Sequence, residues 1–168
     1  MNSYYQFKIL NNPSKKSYTI KEATIKLMQY CDYRDRSQKE VEEKLDEMRM
    51  IPEAKEKIIL QLMREDFLNE ERFARSFVRG KFRIKKWGRN KIKNELKIRQ
   101  ISSPLIKIAL TEIDQQLYFK TLEELAEKKL QLIKEPNSYK KKSKLVAYLL
   151  QKGYESGLIY EVCNTLID

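Results

Sequence analysis

The sequence predicts an all-α protein built as three tandem three-helix repeats in an elongated, curved array. Three observations lead there. Apolar residues recur at helical spacing in a register written three times over, no segment sustains the period-two alternation of a half-buried strand, and helix-start and helix-stop residues fall where the register begins and ends. With 41% apolar and 35% charged residues, and four glycines and four prolines in 168 residues, the composition is that of a folded, helix-rich chain rather than a disordered one.

Residues 1–17, MNSYYQFKILNNPSKKS, join Asn-Asn-Pro to Ser-Lys-Lys-Ser without a long apolar run, and are expected to form a flexible N-terminal arm. Repeat one is expected over residues 18–67. Its first helix carries Ala23 and Leu27. Its second, opened by Asp35 or by Ser37 with Glu40 completing a capping box, carries Val41 and Leu45; the third follows Met50 and carries Ala54, Ile58, Ile59 and Leu62. Repeat two, residues 68–114, restates the pattern. Asn69 with Glu70 and Glu71 opens a helix bearing Ala74 and Val78 and sets carboxylates at the positive end of its dipole. Ile92 and Leu96 mark the second helix, and Ser102 or Ser103 with Pro104 opens a third that bears Leu105, Ala109, Leu110 and Ile113. In repeat three, residues 115–168, the matching positions are Ala126 and Leu130, Leu145 and Leu149 before a Lys152-Gly153 stop, then Tyr154, Leu158, Val162, Cys163 and Leu166. The period is 51 to 53 residues. Units of about 50 residues bury little surface alone, so each is expected to lean on its neighbour.

The charge is concentrated in the middle. Residues 1–70 hold 13 basic and 13 acidic side chains and residues 114–168 hold 9 and 8, whereas residues 71–113 hold 13 and 3, which accounts for nearly all of the net charge of +11. A positive field so localised points to a polyanionic partner. Its densest stretch is FVRGKFRIKKWGRNKIKNEL, residues 77–96. If Ile92 and Leu96 face the core, a helical step of about 100° per residue puts Asn90, Lys93, Asn94 and Lys97 on the far side. Lys81, Arg83, Lys85 and Lys86 crowd the connection before that helix, Arg89 and Lys91 lie at its start, and the amides near Gly88 and Arg89 are offered to an anion. These basic side chains are expected to lie outside the cores and to bind nucleic acid. Lys140, Lys141, Lys142 and Lys144 form a smaller patch at the same point of repeat three. Contacts of this kind reach phosphate, weaken with salt and carry no sequence information. Trp87 has two readings: packing on the first helix of its own repeat, or stacking on a base or partner.

Little else in the sequence suggests chemistry. The absence of histidine excludes Ser-His-Asp and Cys-His arrangements and imidazole metal sites. The glycines form no phosphate-cradling loop. Asp32, Asp35, Glu40 and Glu43 are the carboxylates from which a metal site would have to be made, but acids here sit as helical partners of Lys and Arg, as in KEVEEKLDEM, residues 39–48. The expectation is a non-enzyme with no cofactor and no metal. Cys31 and Cys163 lie on apolar helix faces outside any C-x-x-C spacing and are expected to be reduced core residues. With no signal peptide and no apolar run of roughly 20 residues, a cytoplasmic location without membrane contact is expected.

The run FLNEERFARSFVRGKFRIKKWGRNKIKNELKIRQI, residues 67–101, resembles the signature repeat of the bacterial RecX regulatory proteins: a Leu-Asn-acid-acid-Arg-Phe-Ala segment, a basic Trp-Gly turn and an Ile-x-x-x-Leu helix. RDRSQKEVEEKL, residues 34–45, is similar to that family's first repeat and KLVAYLLQKGYESGLI, residues 144–159, to its third, so the likeness spans residues 18–168. Glu70 stands where the family has aspartate, and repeat three lacks the Arg-Phe-Ala segment. The resemblance implies a regulator of DNA repair, homologous recombination and the SOS response. It would act as a monomer in the helical groove of a RecA recombinase filament on single-stranded DNA, with weaker binding to double-stranded DNA, and suppress the filament's ATPase and strand exchange. The filament-binding residues would be Lys81, Arg83, Lys85, Lys86, Trp87, Arg89, Lys91, Lys93 and Lys97, assisted by Lys140, Lys141, Lys142 and Lys144, with Arg34, Arg36 and Lys39 as candidates for protein contact. The alternative is an autonomous DNA-binding module of helix-turn-helix type in which Arg89, Asn90 and Asn94 read bases.

Overall fold

A computed structural model describes residues 17–167. The expected arm over residues 1–17 therefore lies outside the described residues except for Ser17. Nine helices and no strand occur among the described residues: α1 (Ile20–Tyr33), α2 (Gln38–Glu47), α3 (Pro52–Arg64), α4 (Glu70–Lys85), α5 (Arg89–Ile98), α6 (Ser103–Leu110), α7 (Gln115–Leu132), α8 (Ser138–Lys152) and α9 (Ser156–Leu166). They pack as α1–α2–α3, α4–α5–α6 and α7–α8–α9, three three-helix repeats in tandem.

Local chemistry sets the helix ends. Of the two starts open for α2, Ser37 is the cap, accepting from the Glu40 amide while Glu40 accepts from the Ser37 amide. An equivalent box, Thr19 with Glu22, opens α1. The side chains of Asn69, Asp114 and Asn137 cap α4, α7 and α8 by accepting from amides three residues on. Gly153, at φ 91°, closes α8 in the left-handed region.

The shared register is the core. Val41, Ile92 and Leu145, and four residues on Leu45, Leu96 and Leu149, are all fully buried. Repeat one has its own core, around Ala23, Leu27, Ile58 and Leu62. Repeats two and three share one continuous core from Phe73 to Cys163. In α7 the pattern departs from the expected one. Leu130 is only half-buried, while Tyr118 and Leu122 are sealed. Tyr118 and Leu122 precede the fully buried Ala126 by eight and four residues, so the three share one inward face of α7.

The second helices follow one another head to tail. The amides of Gly88 and Asn90 at the start of α5 donate to the carbonyls of Lys152 and Gly153 at the end of α8, at 2.9 and 3.0 Å. At the other joint Lys39 Nζ, at the start of α2, donates to the Ile98 carbonyl at the end of α5, at 3.1 Å. Positive helix ends thus meet negative ones, and repeat two holds both neighbours in a linear order.

Candidate functional site

The cations of repeat two fall into an engaged set and a free set. Most of its arginines are engaged. Arg72 pairs with Asp35 at 2.8 Å and Asp66 at 2.7 Å; Arg75 and Arg79 converge on Glu112 at 2.7 and 3.0 Å; Arg99 holds Glu95 at 2.7 Å. The pairs of Arg72, Arg75 and Arg79 fasten α4 to repeat one and to the end of α6, that of Arg99 lies along α5, and all of them offset arginine charge with a carboxylate.

Arg89 corrects the sequence reading, which put it outside the cores. Its guanidinium lies 3.9 Å from the centre of the Tyr118 ring, donates to Gln115 at 2.8 Å and stands 3.7 Å from Glu155. Its amide donates to the Tyr118 hydroxyl at 2.9 Å, and that hydroxyl donates to Glu155 at 2.5 Å. Burial, with the Glu155 hydrogen bond, raises the Tyr118 phenol well above its ordinary range, so it remains a donor. The amides at the start of α5 are likewise not open to an anion, because Gly88 and Asn90 are bonded to repeat three and Arg89 to Tyr118. Sequence reasoning missed this because the partners lie 26 or more residues away.

Trp87 takes the packing reading. It is half-buried against the core, with Lys81 Nζ and Lys91 Nζ at 5.0 and 4.8 Å from its ring centre. Lys91 Nζ also donates to the Gln151 carbonyl at 3.3 Å. Lys91 and Arg89 therefore brace the joint between repeats two and three, while Lys81 packs on the Trp87 ring within repeat two.

Arg83, Lys85, Lys86, Lys93 and Lys97 are exposed, and among the described residues none of them is in an ion pair. They occupy two places. Arg83, Lys85 and Lys86 surround the end of α4, where the carbonyls of Lys85 and Lys86 accept from Lys152 Nζ and the Tyr154 hydroxyl. Lys93 and Lys97 lie with Asn90 and Asn94 on the outer face of α5. Lys107 on α6, which the sequence reading passed over, is also exposed. In repeat three Lys140 is exposed, Lys141 and Lys142 are half-buried, and Lys144 is bonded to Glu135 at 2.7 Å. The cations considered for protein contact are engaged too: Arg34 with Glu40, Arg36 on the Tyr30 ring and carbonyl, and Lys39 with Ile98.

Cys31 and Cys163 are buried free thiols, and burial pushes Cys31 up to about 11 and raises Cys163. Among the described residues no group of three or more ligating side chains is placed to hold a metal ion, and no helix is long and apolar enough to cross a membrane. What the surface offers is a set of unpaired cations on rigid helices, suited to electrostatic attraction and phosphate contact.

Comparison with known proteins places this arrangement. Residues 69–110 match the family model of the RecX second three-helix domain, and residues 116–163 that of the third. Regulatory protein RecX of Clostridium perfringens is 33% identical over 134 residues, which span 79% of this chain and 60% of that protein. Regulatory protein RecX of Oceanobacillus iheyensis is 29% identical over 88% of this chain and 54% of its own length. The chain thus spans between half and two thirds of these two relatives. The crystal structure of RecX from Lactobacillus salivarius superposes with a TM-score of 0.78 at 26% identity, covering 88% of this chain and 96% of that one.

Proposed function

This chain belongs to the RecX family of regulatory proteins, and from that membership we propose that it is a non-enzymatic regulator of a RecA recombinase. In this reading it binds the RecA filament on single-stranded DNA along the filament's helical groove and restrains ATP hydrolysis and strand exchange. The observation that carries the reading is the basic middle repeat, whose free cations Arg83, Lys85, Lys86, Lys93 and Lys97 stand outward on a linear array. An extended scaffold suits a long groove, and a cationic midsection suits a nucleoprotein surface. Lys140 at the start of α8 adds to the attraction. Arg89 and Lys91 serve by tying repeat two to repeat three, and Lys81 with Trp87 supports them from within repeat two.

The helix-turn-helix alternative fares worse on geometry. A reading helix contacts base edges through its N-terminal residues, and the first turn of α5, where Arg89 and Asn90 lie, is closed by the end of α8.

The test is the ATPase rate of the recombinase from the same organism on single-stranded DNA as this protein is added at substoichiometric and then equal ratios. Inhibition at low ratios is the expected result. No effect at any ratio, with direct and sequence-selective DNA binding, would replace this reading by the DNA-binding module.

A further inference from the structure

Repeats one and three carry a cleft at the same place, between their second and third helices, and the register extends it to repeat two. In repeat one a cleft of about 520 Å³ lies between α2 and α3, with Glu42, Asp46 and Glu56 among its lining residues. In repeat three a cleft of about 550 Å³ lies between α8 and α9, with Val146, Leu150 and Tyr160 at the same three register positions. In repeat two these positions are Lys93, Lys97 and Lys107. The helices support the transfer: α2 and α5 begin and end at equivalent residues, α3 and α6 begin at equivalent residues, and the buried anchors Val41, Leu45 and Ile58 of repeat one correspond to Ile92, Leu96 and Ala109. These three positions are therefore acidic, then basic, then apolar along the array, with Lys55 also lining the first cleft and Lys142 the third.

We propose that the groove between α5 and α6 is the track for the sugar-phosphate backbone of single-stranded nucleic acid, held by Lys93, Lys97 and Lys107. This rests on the reading above that repeat two engages a nucleoprotein, and it deepens it by choosing between the two sets of free cations. All three lysines are exposed and among the described residues none is in an ion pair, so phosphate contact sacrifices no internal bond. They belong to two helices, Lys93 and Lys97 to α5 and Lys107 to α6, at the register positions that line the clefts of the other two repeats, so their ammonium groups would approach a chain from both sides. Arg83, Lys85 and Lys86 instead project from the end of one helix and its turn. The groove of repeat one, where three carboxylates outnumber Lys55, which is paired with Asp46, repels the same strand, and the largely apolar groove of repeat three offers it only Lys142, so the strand favours the middle of the array.

The experiment measures fluorescence anisotropy of a labelled oligo(dT) titrated with the full chain at several salt concentrations. The triple variant Lys93→Glu, Lys97→Glu, Lys107→Glu is compared with Arg83→Glu, Lys85→Glu, Lys86→Glu, which changes the net charge equally. The groove variant is expected to bind about tenfold or more weakly and to lose about 2 from the salt slope, as three phosphate contacts on a single strand would require; the turn variant should lose much less. Equal or greater loss in the turn variant overturns the groove assignment, and melting curves matching the parent's confirm that both variants fold. Glu42→Lys with Glu56→Lys supplies the converse, since it should strengthen binding by giving repeat one a cationic groove. A parent chain that leaves the oligonucleotide unbound at low salt would overturn the nucleic-acid reading of repeat two as well as the groove, whereas parent binding with an intact groove variant removes the groove alone.

Discussion

Gly88→Ala tests the joint between repeats two and three. A Cβ at Gly88 would stand 2.3 Å from the carbonyl carbon and oxygen of Gly153 and 2.4 Å from the Tyr154 amide nitrogen. All three are backbone atoms, which cannot swing aside as a side chain does, so the start of α5 must part from the end of α8. Two hydrogen bonds go with it, Gly88 to Lys152 and Asn90 to Gly153. At about 1 kcal/mol net for each bond and roughly 1–3 kcal/mol for overpacking, the loss is about 3–5 kcal/mol. For a chain of this size that lowers Tm by roughly 6–20 °C. Gly80→Ala is the internal control. Nothing lies within 4 Å of a Cβ there, and Gly80 sits inside α4, so the added methyl should stabilise by about 0.5–1 kcal/mol through helix propensity alone. The assay is thermal and urea unfolding followed by circular dichroism, with hydrogen exchange at the Gly88 and Asn90 amides. If Gly88→Ala melted within about 0.5 kcal/mol of the parent, the close backbone approach would be wrong, and with it the head-to-tail stacking of the second helices.

Leu96→Ala should cost about 2–5 kcal/mol in urea unfolding, because Leu96 is fully buried at a register position shared by all three repeats; full retention of stability would contradict the register. Burial works against the Glu40 carboxylate, but the Ser37 amide and then Arg34 and Arg36 outweigh it and hold its pKa below the usual carboxylate value. The contribution is therefore complete above that usual value and disappears as pH falls through the lower folded one, so Glu40→Gln should flatten the acid limb of the stability curve, and an unchanged limb would remove Glu40 from it. Cys31, pushed up to about 11 by burial, and the equally enclosed Cys163 should react with a thiol-disulfide reagent near neutral pH only as fast as the chain opens; rapid labelling of the folded chain would refute their burial.

The fold was largely legible because it is written three times. A single apolar triplet such as Val41, Ile92 and Leu145 is weak evidence, but the same triplet followed four residues on by Leu45, Leu96 and Leu149 fixes a helix face, and all six prove fully buried. Caps with a side-chain signature, Ser37 and Asn69, were legible as well. What escaped was set by distant partners. Nothing near Arg89 announces Tyr118, which lies in the next repeat and decides that the guanidinium turns inward. The identity of the free cations was equally hidden, since charge counts do not separate Arg75 and Arg79, paired with Glu112, from Lys93 and Lys97. Lys107 was the exception. Its equivalence to Glu56 and Tyr160 follows from the register, but its place in the proposed groove required seeing that those positions line a cleft.

The two kinds of surface on each repeat tolerate change very differently, and this allows near-copies to diverge in chemistry. The joint between repeats two and three is made of backbone: amides on carbonyls, with Gly88 pressed on Gly153, where one methyl group costs several kcal/mol. The groove positions are exposed or half-buried helix sites, where substitution usually shifts stability by no more than about 0.5 kcal/mol. Glu42, Lys93 and Val146 can therefore stand at one register position without altering how the repeats stack. Replacing acid by base in the groove of repeat one changes what that face attracts while leaving its joint to repeat two, built on Arg72 with Asp35 and Lys39 with Ile98, in place. In such an array stability resides in the core register and the joints, and under the proposed groove assignment partner preference resides between the second and third helices.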